Sequence, residues 1–404
     1  MRDGREWVDL DLRVYLSGAA AVRDAGLYDL LLGPVQLPFT YPPFAAALLW
    51  PLSLLTTDLA STLWLAAAVG ALAVLLWLAS PRLPLPRRIA LVAAVLAASA
   101  WLEPVQSTWF YGQVNLLLAV LVLADVTRPR ALRRLPGGLL IGLAAAVKLT
   151  PVVFVPYLLL VGRRRDALRA VVAFAALALV GAVVNPTASW TFWTSTVIDG
   201  QRVGHVEFIA NRSVLGAWAR LADGTAPATI AWLAVAVAVF AAGMLVARTV
   251  TTALGPVEAA IAVAFTGLLV APIAWVHHFV WVAPLLMVVV SRPMNAWLRL
   301  SGLALVGAFA WQPVWFVLHD RADLEKALVP GATYQGVGLL YAVASAGVLC
   351  WLLLLCRYGG YTSEGSRSAV SARATSKLTE ARTSAIETSR APQIAASSSL
   401  DASF

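Results

Sequence analysis

The chain has 404 residues, 60% of them hydrophobic and only 13% charged, with a mean hydropathy of +0.79 and a formal net charge of +9. That balance excludes an ordinary soluble globular domain. It also argues against a nucleic-acid-binding reading of the positive charge, because the arginines form short clusters between apolar stretches.

The opening residues, Met1-Arg2-Asp3-Gly4-Arg5-Glu6-Trp7, are too polar for a signal peptide. An acidic patch follows, Asp9-Leu10-Asp11, and then the run Leu37-Pro38-Phe39-Thr40-Tyr41-Pro42-Pro43-Phe44-Ala45-Ala46-Ala47. Two adjacent prolines cannot sit inside a helix but can begin one, because N–H groups of the first turn have no helical partner. The pattern predicts a helix starting at Pro42–Pro43 at the membrane surface, with Tyr41 and the acidic patch just outside it. From there apolar segments recur near 59–80, 88–102, 113–127, 135–147, 150–162, 166–184, 227–247, 255–272, 277–290, 296–317 and 334–356. Their lengths approach the roughly 20 residues that cross a hydrocarbon core. Backbone groups find no water there, so the segments must be helical. The expected fold is therefore all-α, a polytopic membrane domain over 1–357 with about 11 transmembrane helices. The remainder, 358–404, is rich in Ser, Ala, Thr, Arg and Glu and is expected to be a disordered cytoplasmic tail. Cys350 and Cys356 lie in or at the end of the last apolar segment and suggest neither a disulfide framework nor a zinc site.

The arginines set the orientation. Arg82, Arg87 and Arg88 share one loop, Arg128, Arg130, Arg133 and Arg134 a second, and Arg163, Arg164, Arg165 and Arg169 a third. The positive-inside rule places all three in the cytoplasm, with Arg292, Arg299 and Arg357 on the same side. With the 43–55 segment lying along the outer face, the spans alternate consistently. The acidic patch, Glu103 to Gln113, Lys148, the 185–226 loop and His277–His278 then meet on the outer side. Eleven spans with a cytoplasmic tail start outside; a further helix ahead of Met1, which would put both ends inside and give 12 spans, is expected.

The stretches Val8–Ala20, Gly26-Leu27-Tyr28 and Leu37–Ala47 resemble the first outer loop of actinobacterial GT-C-type mannosyltransferases, glycosyltransferase family 87. Trp101-Leu102-Glu103-Pro104, Tyr111-Gly112-Gln113-Val114-Asn115, Gly142–Pro151, Asn211-Arg212-Ser213 and Trp275-Val276-His277-His278 continue the resemblance in order, over about residues 8–357. The chain departs from the family in lacking the first helix and in carrying Ala271 and Ala274 where serines are expected. The resemblance implies the GT-C fold and an enzyme of the plasma membrane with its active site on the outer face and its C-terminus in the cytoplasm. The donor it implies is polyprenyl-phosphate mannose, with no cofactor. The acceptor is a phosphatidylinositol mannoside, or alternatively lipomannan that receives α-1,2 branches. The new bond is α-1,2, formed with inversion, and Asp11 aligns with the family's catalytic aspartate.

Residue chemistry can be argued beside the resemblance. Sugar transfer to a hydroxyl needs a base for its proton, the role expected of Asp11. Asp9 forms with it a D-x-D spacing like that of metal-dependent nucleotide-sugar enzymes, but an outward site has no access to cytoplasmic nucleotide sugars, and no metal is expected. Lys148 interrupts an apolar stretch; it is either a phosphate-binding cation or a residue that snorkels to the interface. His277 and His278 stand at the head of an apolar segment after Pro272, with Trp275 beside them. Arg212 could grip a phosphate bidentately or be a plain loop arginine. Asn211-Arg212-Ser213 also spells a glycosylation acceptor, discounted because the family is bacterial. Tyr41, Glu103, Tyr111, Gln113, Asn115 and Asn211 supply hydrogen-bonding groups for substrate. Of the 16 tryptophans, Trp109 and Trp275 are expected at the site and the others in interfacial belts. A lipid-linked-sugar transporter would also use buried polar groups, but the two related halves usual in transporters are not evident. A purely structural subunit leaves an outward cluster of Asp, Glu, Lys and His without a purpose.

Overall fold

A computed structural model describes residues 8–33, 36–221, 229–310 and 332–358. It is helical except for one short antiparallel strand pair, β1 (Leu31–Leu32) with β2 (Leu37–Pro38), in the register Leu31 to Pro38 and Leu32 to Leu37. In chain order the helices are α1 (Leu10–Ala20), α2 (Pro43–Leu49), α3 (Thr57–Ala79), α4 (Leu85–Ser99), α5 (Glu103–Tyr111), α6 (Asn115–Thr127), α7 (Leu139–Val147) and α8 (Phe154–Leu160). They continue as α9 (Arg164–Val184), α10 (Pro186–Thr191), α11 (Val214–Leu221), α12 (Thr229–Ala253), α13 (Pro256–Val270), α14 (Val282–Ser291), α15 (Ala296–Gly307) and α16 (Ala332–Tyr358). As the double proline predicts, α2 begins at Pro43, and a 3-10 turn carries it on through Trp50–Leu54.

Four described helices are long and apolar enough to cross a bilayer: Thr57–Ala79, Arg164–Val184, Trp232–Ala253 and Leu339–Tyr358. A fifth crossing is formed if α4 and α5 count as one broken span, bent by 77°. Of the other apolar helices, α4 has the expected length of 15 residues but lies three residues earlier, and the rest are shorter than the sequence pattern suggests; prolines account for two of the differences. The 88–102 segment does not run on, because Pro104 has no N–H to donate one turn back; the chain extends at Leu102 and restarts as α5. The 150–162 segment opens as a 3-10 turn, Thr150–Val153, with Pro151 in its first positions. His277 and His278 lie in another 3-10 turn, Val276–Trp281, ahead of α14 and not inside it. The expected 296–317 span is helical to Gly307, and its residues from 311 on lie outside the described residues, as does the 359–404 part of the tail.

The bundle has two chemically different ends. At one, arginines donate to the open carbonyls of helix C-termini: Arg88 to Trp77 of α3, Arg163 to Asp125 and Val126 of α6, and Arg299 to Val289 and Val290 of α14. Positive charge is favoured there by the helix dipole and by the unpaired carbonyls of the last turn. Buried Asp125 caps α7 from the same end, accepting from the N–H groups of Gly138 (2.8 Å), Leu140 (3.0 Å) and Ile141 (3.1 Å). Gly138 is required there: its φ is +94°, and a Cβ would fall 1.9 Å from the Asp166 carbonyl oxygen. At the opposite ends of α6, α7, α13 and α14 stand Asn115, Lys148, the turn that follows Val270, and the paired histidines. Each helix thus runs between an arginine-rich end and a polar cluster.

Candidate active site

Asp11 sits in the first turn of α1, an 11-residue helix much too short to cross a bilayer. One contact fixes the start of that helix against the turn between α5 and α6, and a second fixes the turn against α3. The Asp9 N–H donates to the Phe110 carbonyl at 2.8 Å, and Trp64 of α3 donates through Nε1 to the Gly112 carbonyl at 2.8 Å. Gly112 has φ +69°, and a Cβ there would meet Leu12 Cβ at 2.6 Å, so only glycine lets the turn approach α1 this closely. The result brings Gln113 within hydrogen-bonding reach of Asp11. Burial pushes the Asp11 carboxyl up to about 6, against the opposing pull of the Gln113 hydrogen bond and the Lys148 charge. A carboxylate poised there is suited to accept a proton near neutral pH.

Lys148 lies just past the end of α7, where the backbone turns extended (φ −150°, ψ 131°) and two half-length helical pieces meet. Its Nζ donates to Asn115 Oδ1 at 3.0 Å and lies 3.1 Å from His278 Nε2, with the Tyr41 ring 5.5 Å away. An ammonium carries three donors, so one remains for a ligand. Burial lowers the Lys148 ammonium to about 8, with the Asp11 charge acting to raise it. His278 also accepts at Nδ1 from the Trp275 backbone N–H (3.2 Å); a neutral imidazole has one acceptor nitrogen, so the ring serves either that amide or Lys148 at a time. Asn115 Nδ2 donates to the His277 carbonyl at 2.9 Å, which ties α6 to the histidine turn. The two histidine rings are 4.7 Å apart, and Tyr111 stands edge-on to His277 at 6.2 Å.

A second cluster adjoins the first. Glu103, 1% exposed, accepts at Oε2 from the Tyr341 hydroxyl of α16 at 2.6 Å, while its Oε1 is buried without a hydrogen-bond partner among the described residues. Burial raises its carboxyl, opposed by the Tyr341 bond and the Arg212 charge. Arg212 is fully buried 5.0 Å over the Tyr341 ring, and its backbone N–H donates to the Ala274 carbonyl at 2.8 Å. Asp11 and Glu103 both act electrostatically on Tyr111, which is close to both clusters. A cavity of about 200 Å³ opens on the other side, lined by Leu118, Phe154, Leu268 and Trp281 and ending at Asn115 and His278.

The structure thus brings Asp11, Tyr41, Tyr111, Gln113, Asn115, Lys148, His277 and His278 together, with Glu103 and Arg212 beside them. It gives Asn211 a different task from the expected substrate contact. Its amide nitrogen donates to Val206 and Pro272 carbonyls, and its oxygen accepts from the N–H groups of Ser213 and Ala274. Those four bonds use the full capacity of an asparagine side chain, so Asn211 clamps its loop to the turn before the histidines. The Trp275 ring packs on Phe208 (6.1 Å) and closes over Gly204, while its backbone supports His278.

Comparison with known proteins decides the family. Residues 39–272 match glycosyltransferase family 87. The chain belongs to glycosyltransferase family 87. It is 35% identical over 335 residues, 78% of either chain, to a polyprenol-phosphate-mannose-dependent alpha-(1-2)-phosphatidylinositol mannoside mannosyltransferase of Mycobacterium tuberculosis. The protein of the same name from Mycolicibacterium smegmatis is 34% identical over 363 residues, 80% of either chain. A polyprenol-phosphate-mannose-dependent alpha-(1-2)-phosphatidylinositol pentamannoside mannosyltransferase of M. tuberculosis is 32% identical over 371 residues, 86% of this chain and 82% of the relative. No solved structure matches the chain. This family 87 protein is a glycosyltransferase, and the family match takes in Tyr41, Glu103, Gln113, Asn115, Lys148 and Arg212 but not Asp11 or the histidine pair.

Two residues of the glycosyltransferase's site escape a reading of the sequence. Tyr15 binds Gln113 and Tyr41, and Tyr341 binds Glu103 across 238 positions of chain. Tyr15 carries a legible signal, since it lies one helical turn from Asp11 on the same face. Tyr341 offers only a phenol inside an apolar segment, which calls for a partner but does not name it.

Proposed function

We propose that the protein transfers mannose from polyprenyl-phosphate mannose to a phosphatidylinositol mannoside, forming an α-1,2 linkage with inversion. The reading places the active site on the outer face of a GT-C fold of about eleven spans, with the arginine-rich end and the C-terminus in the cytoplasm. One observation carries it: a half-buried carboxylate, Asp11, faces a cation, Lys148, that two side chains hold in place at the end of an apolar cavity. Base, phosphate-binding cation and lipid-compatible lining stand in the order that a lipid-phosphate sugar donor needs. The printed names of relatives at 32–35% identity supply donor, acceptor and linkage.

In the proposed reaction the acceptor hydroxyl gives its proton to the Asp11 carboxylate as its oxygen bonds to the anomeric carbon. The bond from that carbon to the phosphate oxygen breaks, and the departing phosphate keeps the electron pair. Its growing charge falls to Lys148, whose effect is strongest where water is excluded. The isoprenoid tail takes the cavity between α6, α8 and α13, and Tyr111, Glu103 and Arg212 remain for sugar hydroxyls. No metal ion takes part in this scheme.

Incubating purified protein with radiolabelled polyprenyl-phosphate mannose and a panel of mannoside lipids tests the substrates. Label is expected in phosphatidylinositol mannosides. Label confined to lipomannan would make the enzyme a branching transferase, and movement of intact donor across vesicles without product would make it a transporter. The orientation has its own test, after Cys350 and Cys356 are replaced. Exposed positions Ala25→Cys and Ile198→Cys should react with a membrane-impermeant thiol reagent in intact cells, and exposed Arg165→Cys should not. The reverse labelling pattern would invert the topology and remove the donor argument.

A further inference from the structure

Tyr15 belongs to none of the roles above, yet it is 2% exposed and its hydroxyl joins two of the site's residues. It lies 2.9 Å from Gln113 Oε1 and 2.9 Å from the Tyr41 hydroxyl. An amide oxygen only accepts, so the Tyr15 proton points at Gln113, and Tyr41 must donate to Tyr15. The direction of the chain is thereby fixed: Tyr41 to Tyr15, then Tyr15 to the Gln113 oxygen. Asn115 Nδ2, 3.4 Å from the same oxygen, reinforces that sense. With its oxygen held from that side, the amide turns its N–H group toward Asp11.

We propose that Tyr15 is a positioning residue that locks the Gln113 amide with its N–H group facing the Asp11 carboxylate. A flipped amide would set a carbonyl oxygen against the carboxylate and penalise its ionised form. Tyr15 therefore acts on the ionised state of Asp11 without touching substrate. Other titratable groups face Asp11 as well: Lys148 from the end of α7, Tyr41 from the segment before α2, and Tyr111 from α5. Asp9 shares its own turn, and the histidine pair stands behind Lys148. Of these only Tyr41 touches Tyr15; Tyr15→Phe keeps the ring contacts with Tyr41 (4.8 Å) and Trp64 (6.0 Å) and removes the hydroxyl to which Tyr41 donates.

The inference rests on Asp11 being the base, but its decisive test needs no substrate. In full-length purified protein, the infrared band of the protonated carboxyl that Asp11→Asn removes is followed with pH. In wild type its midpoint is expected at about 6. Tyr15→Phe should move it upward by about one pH unit, since the carboxylate loses an ordered donor. Gln113→Met should produce a similar shift, and the double variant no more than Gln113→Met alone, because the tyrosine works through the amide. An unchanged midpoint in Tyr15→Phe, or additive shifts, would overturn the proposal. So would a downward shift toward the ordinary carboxylate value of about 4, because that is the signature of local unfolding. The acid limb of kcat should follow the band, with KM for either substrate unchanged. A band that moves while the rate profile stays put would uphold the Tyr15–Gln113 link and reject Asp11 as the base.

Discussion

Asp11→Asn lowers kcat for mannosyl transfer by about 10² to 10⁴, the range set by loss of a general base, while the protein still folds and inserts. The amide keeps the size of the side chain and its place in the first turn of α1 but cannot take the acceptor's proton. In wild type the pH dependence should report the same group. Asp11, raised to about 6, is ionised and active above that pH, so activity is lost as pH falls through about 6. Lys148, lowered to about 8, is charged below that pH, so activity is lost again as pH rises through about 8. The rate profile is therefore a bell with its plateau between those limbs, which belong to a coupled pair and not to independent sites. Asp9→Asn, measured beside it, should leave both limbs in place. Near-normal turnover in the Asp11 variant would move the base elsewhere.

Lys148→Met should cost about 10² to 10³ in kcat, the scale of losing one aligned group that stabilises developing charge. Methionine keeps an apolar stem of similar length, so the packing at the end of α7 survives while the charge is lost. The phosphate's charge grows toward the transition state, so kcat falls as well as donor affinity. The pH profile should change in two ways. Its alkaline limb disappears with the ammonium, and its acid limb moves to higher pH because Asp11 loses the cation that favours its ionised form. A variant that differs only in expression would make Lys148 a snorkelling residue. A loss confined to acceptor KM would say that Lys148 holds the acceptor's phosphate, reversing which substrate lies on which side of Asp11.

Much of the helix order was legible because it depends on local chemistry. Pro42–Pro43 marked the start of α2, and the expected boundaries of α3, α9 and α13 lie within a few residues of those observed. Crossing lengths were less legible. Apolar composition continues through Leu102 and through the turn after Lys148, but Pro104 and Pro151 interrupt the hydrogen-bond ladder there, and composition averages over such breaks. The site divides the same way. Charged or paired residues in apolar surroundings, such as Asp11, Lys148 and His277–His278, announce themselves because leaving them buried without a task is costly. Asn211 could not be sorted from a substrate contact, since its role as a clamp depends on a turn 61 residues away. Tyr15 and Tyr341 were hidden for a related reason: a buried tyrosine reads as packing until the partner of its hydroxyl is known.

The anomeric configuration of the product tests the central claim most directly. Purified protein is given β-linked polyprenyl-phosphate mannose and a phosphatidylinositol mannoside, and the new linkage is read by nuclear magnetic resonance. Asp11 acting as a base on the acceptor hydroxyl gives a single displacement, so the account predicts an α-mannosyl group on O-2, formed about 10² to 10⁴ times more slowly in Asp11→Asn. A β-linked product would contradict it, because retention requires a covalent intermediate and would make the carboxylate a nucleophile.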